Sequence, residues 1–235
     1  MKRFLIVNAD DFGLTPGINR GIAQANERGI LTSASLMVRH AGAREATDYA
    51  RAHPGLSVGL HFDLAEWRFQ DGNWEIVYQV VDPQNAEAVR AELDRQLALF
   101  ETLLGHPPTH LDSHQHAHRT EPAQSVLRSA ARTLGVPLRH CAPAIRHCGD
   151  FYGQTAEGVP FPEGISLGHL TRIIEALPPG WTELGCHPGF ANDLDSIYAA
   201  EREEETRVLC DRQIRDVIRR NAVELRSFPQ SRTST

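Results

Sequence analysis

Cysteine is scarce and scattered in this chain. Cys141, Cys148, Cys186 and Cys210 form no C-x-x-C pair, so a zinc knuckle or a dithiol redox motif is unsupported and free thiols are expected. No apolar run approaches the roughly 20 residues of a membrane-spanning helix, so no membrane span is predicted. The opening MKRFLIVNADDFG has an apolar stretch too short for a secretion signal and meets two aspartates at once, which predicts a cytoplasmic protein. A basic excess is also missing: 24 Lys and Arg stand against 30 Asp and Glu, for a formal charge of −6. That argues against a nucleic-acid partner. Neither a G-x-S-x-G elbow nor a glycine-rich phosphate loop occurs, which leaves serine-nucleophile and nucleotide chemistry without a motif. Ser113 lies between Asp112 and His114, and Cys186 lies beside His187. Sequence neighbours do not supply the spatially placed base that a nucleophile needs.

What is present is an ordinary globular composition, 41% apolar and 23% charged over 235 residues, enough for one large domain spanning 1–235. Short β-prone runs alternate with helical periodicity. Strands are predicted over 3–7, 33–38, 56–64, 109–112, 136–139, 181–186 and 223–228. Helices are predicted over 41–52, 86–104, 122–134 (stopped by Gly135), 167–177 and 196–220, after a first helix running from a Thr15 cap and Pro16 to about Glu27. Residues 66–84 and 141–166 read as irregular, and the tail 230–235 as disordered. The alternation predicts an α/β fold, a distorted or incomplete (β/α) barrel with a parallel sheet of about seven strands. The charge run Glu201, Glu203, Glu204 and Glu205 reads as a solvated helix face.

Histidine is over-represented, with 12 in the chain, and His110, His114, His116 and His118 crowd into nine residues. Burying that many imidazoles requires partners. Polar clusters follow four of the strands: Asp10-Asp11, His61, Asp112 through His116, and His187. In a parallel barrel the strand C-termini share one rim, so these distant residues converge there. Two histidines and a carboxylate with open positions suit a divalent ion, either zinc, manganese, iron, cobalt or nickel, with magnesium less readily held. Such an ion acidifies water, and a further carboxylate and histidine are at hand for proton transfer. Trp67, Trp74 and Tyr78, with Phe151, Tyr152 and Phe161, lie on two segments flanking the rim. Their rings either stack on a substrate or pin the loops. Arg139, at a strand end, either binds a charged group or pairs with a structural carboxylate.

The segments NADDFG (8–13), GLHFDL (59–64), THLDSHQHAH (109–118) and CHPG (186–189), in this order across nearly the whole chain, resemble the YdjC-like carbohydrate deacetylases. That family includes chitooligosaccharide deacetylases and a hopanoid-pathway deacetylase. The resemblance implies a distorted (β/α) barrel that removes an N-acetyl group from an N-acetylated sugar with one divalent metal, zinc or magnesium. It implies Asp11, His61 and His114 as metal ligands, Asp10 as general base and His187 as general acid. His116 and His118 match further motif positions and, with Arg139, Trp67 and Tyr152, are expected at the substrate. A homodimer is also implied. Two departures stand out: Asp63 replaces an uncharged residue, and 65–81 differs from the insert of the chitooligosaccharide enzymes. The competing readings are another metal-dependent hydrolase, acting on a phosphoester or a different amide, and a non-catalytic metal- or sugar-binding protein.

Overall fold

The computed structural model describes residues 2–70, 72–190, 193 and 196–231. Its centre is β1 (Arg3–Phe12), whose residues are buried from Leu5 onward. A strand covered on both faces reads as a continuous apolar run, which is why FLIV carries no alternation. β1 pairs in parallel with β8 (Gly180–Cys186) along one side. On the other side its first residues pair with β9 (Val223–Leu225) and its last with β2 (Ser33–Leu36). β2 is followed outward by β3 (Ser57–Phe62) and β6 (Leu111–Ser113), and β7 (Ile145–Cys148) flanks β8. The result is a seven-stranded, all-parallel sheet in the order β6-β3-β2-β1-β8-β7, with β9 beside β1. Among the described residues no pairing joins β6 to β7, so the barrel is incomplete, as its sequence pattern predicts.

Helices cover the outer face. α1 (Pro16–Arg28) starts at the predicted Thr15 cap, whose side chain accepts from the Ile18 N–H. α2 (Ala43–Ala52), α3 (Ala86–Leu104), α4 (Ala123–Leu134) and α5 (Leu167–Glu175) follow. Gly135 ends α4 in the left-handed region at φ 64, a conformation that favours glycine. One apolar cluster, from Leu5 and Val7 through Phe62 and Phe100 to Leu184, joins the sheet to these helices. No helix of the described residues is long and apolar enough to cross a membrane.

Several expectations are corrected. Most of 66–84 is not irregular: β4 (Ala65–Gln70) and β5 (Asn73–Gln79) form an antiparallel hairpin, and 80–84 stay irregular. Residues 136–139 give only a single bridge, Leu138 to Leu111, and the strand beside β8 comes instead from 145–148 in the Pro/Gly-rich stretch. The long helix over 196–220 is two helices, α6 (Ala199–Leu209) and α7 (Arg212–Arg220). The break falls at Asp211, whose carboxylate accepts from the Gln213 N–H and caps α7, a bond that competes with helix continuation. The last strand stops at Leu225, and Phe228–Ser231 form one helical turn, α8. Gln230 and Ser231 are therefore ordered in a helix, while 232–235 of the expected disordered tail lie outside the described residues. The acidic run is a solvated face only in part: Glu203 is exposed and Glu204 half-buried, but Glu201 and Glu205 are buried.

Candidate metal centre and active site

The parallel sheet brings the ends of β1, β3, β6 and β8 to one rim. Side chains on a regular strand alternate between faces, yet the adjacent Asp10 and Asp11 both line one cavity. The reason is local. Asp11 is left-handed, at φ 65, and the register of β1 against β2 shifts between Ala9 and Phe12. Such a bulge re-aims a side chain, and aspartate tolerates this conformation better than most residues.

Asp11 is the hub. Its Oδ1 lies 3.4 Å from His61 Nε2 and 3.2 Å from His114 Nδ1. One donor atom from each of the three residues lies within 4.8 Å of the others. Asp11 Oδ2 accepts from Arg202 Nη2 at 2.6 Å. His61 Nδ1–H donates to Asp112 Oδ1 at 2.7 Å, which leaves Nε2 to face Asp11. A ligating imidazole is oriented in this way, by a carboxylate on its other nitrogen.

Asp10 is held just as firmly. Arg139 donates to both its oxygens, at 2.6 and 2.7 Å, and Asn8 Nδ2 donates to Oδ1. Arg139 also reaches Asp112 Oδ2 at 2.8 Å and Glu183 Oε1 at 2.7 Å. Its guanidinium therefore serves three carboxylates, the second of the two roles open to it in the sequence. His187 Nε2 lies 3.9 Å from Asp10 Oδ2. The His187 backbone N–H donates to Glu205 Oε2, and the Tyr198 hydroxyl donates to Glu205 Oε1 at 2.6 Å.

The electrostatics follow from burial and pairing. Burial opposes ionisation of Asp10, but Arg139 and His61 hold it down at about 2. Burial likewise opposes ionisation of Asp11, which Arg202 and its two histidines hold well below the usual range. Asp112 and Glu183 are also lowered, against burial, chiefly by Arg139. Four ionised carboxylates thus face two guanidinium groups, Arg139 and Arg202, and two negative charges are left over. That excess attracts a cation. Without a metal the cation is a proton: burial disfavours charge on His61, yet Asp112 and Asp10 push it up to about 10. A divalent ion displaces such a proton and matches the charge. By donor type, position and charge, Asp11, His61 and His114 fit a divalent metal.

The cavity that these residues floor measures about 950 Å³, at the upper end of small-molecule sites. Trp67, Trp74 and Phe69 from the hairpin border it, as does Tyr152. Tyr152 stacks on Tyr198 at 4.6 Å and contacts His187 edge-on at 5.3 Å. The hairpin is fastened by Gln115, whose amide exchanges two hydrogen bonds with the Trp67 backbone, and by the Tyr78 hydroxyl, which donates to Asp63. Asp63 also accepts from Arg39 and His40, which pair its charge. His116 borders the cavity. His118, expected at the substrate, is instead fully buried behind the wall with Nδ1 on Ser113 Oγ.

Arg202, Glu183 and Glu205 complete the site without having been given a site role in the sequence, and Asp112 was read there only as part of the cluster that follows the fourth strand. Arg202 and Glu205 come from α6, which is tied to Gly189 by the Gly189 N–H donating to Arg202 O and Thr206 Oγ1, and Gly189 lies against Gly21 of α1. A Cβ on Gly21 would meet Gly189 Cα at 2.4 Å.

A parallel half-barrel with an aspartate and two histidines grouped at its strand ends defines the class of protein. The chain belongs to the family of YdjC-like proteins, whose family model matches residues 4–220. It is 32% identical to the chitooligosaccharide deacetylase of Serratia marcescens, covering 97% of this chain and 99% of the relative. It is 33% identical to a carbohydrate deacetylase of Geobacillus stearothermophilus, covering 90% and 91%. In fold it is similar to an Enterococcus faecalis protein solved as a candidate cellobiose-phosphate cleavage protein, with a TM-score of 0.78 at 23% identity over 98% and 99% of the two chains.

Proposed function

We propose that this protein is a metal-dependent carbohydrate deacetylase, releasing acetate from an N-acetylated sugar. The observation that carries the reading is the convergence of His61 Nε2 and His114 Nδ1 on a single oxygen of Asp11, whose other oxygen is taken by Arg202. The names of the two relatives supply the bond and the substrate class.

Asp11, His61 and His114 hold the ion, zinc or magnesium first, with manganese, cobalt and nickel as further candidates. When bound, it acidifies water and draws charge from the acetyl oxygen. Asp10, held low by Arg139 and His61 against its burial, accepts the proton of the attacking water. Arg139 fixes the direction of its carboxylate. His187 is neutral at rest, since burial pushes it down to about 4 against the pull of Asp10 and Asp11. It acts as an acid only after gaining a proton during turnover, and Asp10, 3.9 Å away, is the donor within reach. The proton then passes to the departing sugar amine. Trp67, Trp74 and Tyr152 offer ring faces to the sugar, and His116 a polar contact, while Arg139 and His118 act from behind the wall.

The test is acetate release from N-acetylglucosamine mono-, di- and lipid-linked substrates beside a panel of phosphate esters, with the protein metal-loaded. Acetate from at least one sugar is expected. Ester cleavage without acetate would favour the rival hydrolase, and tight sugar binding without turnover the non-catalytic reading.

A further inference from the structure

Four histidines with no part in proton transfer meet at one side of the cavity, where His116 and His147 line the wall and His118 and His140 lie behind it. His116 and His118 lie in the 3-10 turn that follows β6, His140 follows Arg139, and His147 is on β7. The ring centroids of His140 stand 5.2 Å from His116, 5.7 Å from His118 and 4.5 Å from His147. One ligand nitrogen from each of His116, His118 and His140 lies within 4.8 Å of the other two. Tetrahedral zinc, with bonds of about 2.0–2.1 Å, needs roughly 3.4 Å between nitrogens, a distance that small ring rotations reach.

A second, independent observation points to a ligand. His118 is fully buried, and its Nε2 has no hydrogen-bond partner among the described residues; neither has Nδ1 of His116. An unpaired buried nitrogen carries the desolvation cost of a lost hydrogen bond, so two at one place require a reason. The Nδ1 of His118 lies 2.6 Å from Ser113 Oγ. In the tautomer that donates this proton to the serine, the Nε2 lone pair is left for the cluster, as for other ligating imidazoles. Burial pushes His118 down to about 4, so it is neutral near pH 7. His140 is exposed and opens the cluster to solvent.

We infer that His116, His118 and His140 form a second metal site, distinct from the Asp11–His61–His114 group, that takes a divalent transition ion such as zinc. The donor set fixes the selectivity. Imidazoles alone suit zinc, copper and nickel, whereas magnesium demands oxygen ligands. The fourth position belongs to solvent or to His147, whose Nδ1 now stands 3.7 Å from Glu183 Oε2. Since His116 and His147 line the cavity, the ion presents positive charge to whatever enters.

The site is independent of the deacetylase reading, and metal counting separates the two. The chelator-stripped full-length protein is dialysed against zinc or, in parallel, magnesium, and bound metal is measured by mass spectrometry. Wild type should hold two equivalents of zinc and no more than one of magnesium. His140→Ala, at an exposed position, should hold one of zinc, and Asp11→Ala should keep the other. A wild type with a single zinc that Asp11→Ala loses would overturn the second site. Two equivalents persisting in His140→Ala would do the same. A single zinc that survives in Asp11→Ala and vanishes in His140→Ala would support this site and sink the first.

Discussion

His61 Nδ1–H donates to Asp112 Oδ1 at 2.7 Å, so that the opposite edge of the ring faces Asp11. In the proposed reading Asp112 therefore orients a metal ligand rather than holding the ion itself. Asp112→Asn should weaken metal affinity about 10–100-fold, the usual cost of losing an orienting partner. Activity should return at saturating metal. Competition titration against a chelating dye measures this, and unchanged affinity would mean that the bond positions nothing.

Arg139 holds Asp10 ionised in its buried position. Asp10 is held at about 2 against an ordinary value of 3.8. Its contribution to stability is thus present above about 3.8 and lost as pH falls toward 2. In Arg139→Gln burial acts on Asp10 unopposed by the guanidinium, and its pKa rises. The acid limb of the pH–rate profile should move to higher pH, so that activity falls more at pH 5 than at pH 8. Stripping the partner from three buried carboxylates should also cost about 3–5 kcal/mol, read by urea unfolding.

Glu205 shifts in the opposite sense. Burial pushes its carboxyl up to about 8 from 4.5, against bonds from the His187 N–H and Tyr198. Folded, it keeps its proton where the unfolded chain has lost it. Its contribution to stability is thus complete below about 4.5 and lost as pH rises through about 8. Glu205→Gln should flatten that decline, so the urea midpoint changes less between pH 5 and 8 than in wild type. Equal declines would mean that Glu205 is ionised in the fold.

Trp74 is 56% exposed, packs edge-on against Phe69 and borders the cavity. A ring of that size exposed at the mouth suits stacking on sugar. Trp74→Ala should raise KM several-fold and leave kcat unchanged, in line with about 0.5–1.5 kcal/mol for ring stacking. A drop in kcat at constant KM would place its role in the chemistry.

The sequence made Asp10, Asp11, His61, His114 and His187 legible because each sits at or next to a strand end, where packing has no use for such groups. Arg202 and Glu205 stayed hidden for a different reason. Every residue from Glu201 to Glu205 is charged, so composition cannot tell which side of α6 faces in. Spacing offers a clue only in retrospect: 201, 202, 205 and 206 are buried while Glu203 and Arg207 are exposed. The hairpin was readable, since Asp71-Gly72 is a turn signal between two aromatic, β-prone runs. The role of Arg139 was not, because its three carboxylate partners lie on β1, β6 and β8 and meet only in the folded sheet.

The central claim, that Asp11 holds the ion while Asp10 moves the proton, is tested most directly by measuring bound metal and acetate release together in Asp11→Ala and Asp10→Asn. Asp11→Ala should lose the ion of this site and acetate release at once. Asp10→Asn should keep the ion and lose roughly 10²–10⁴-fold in rate, the usual worth of one acid–base group. Wild-type acetate release by either variant would contradict the account.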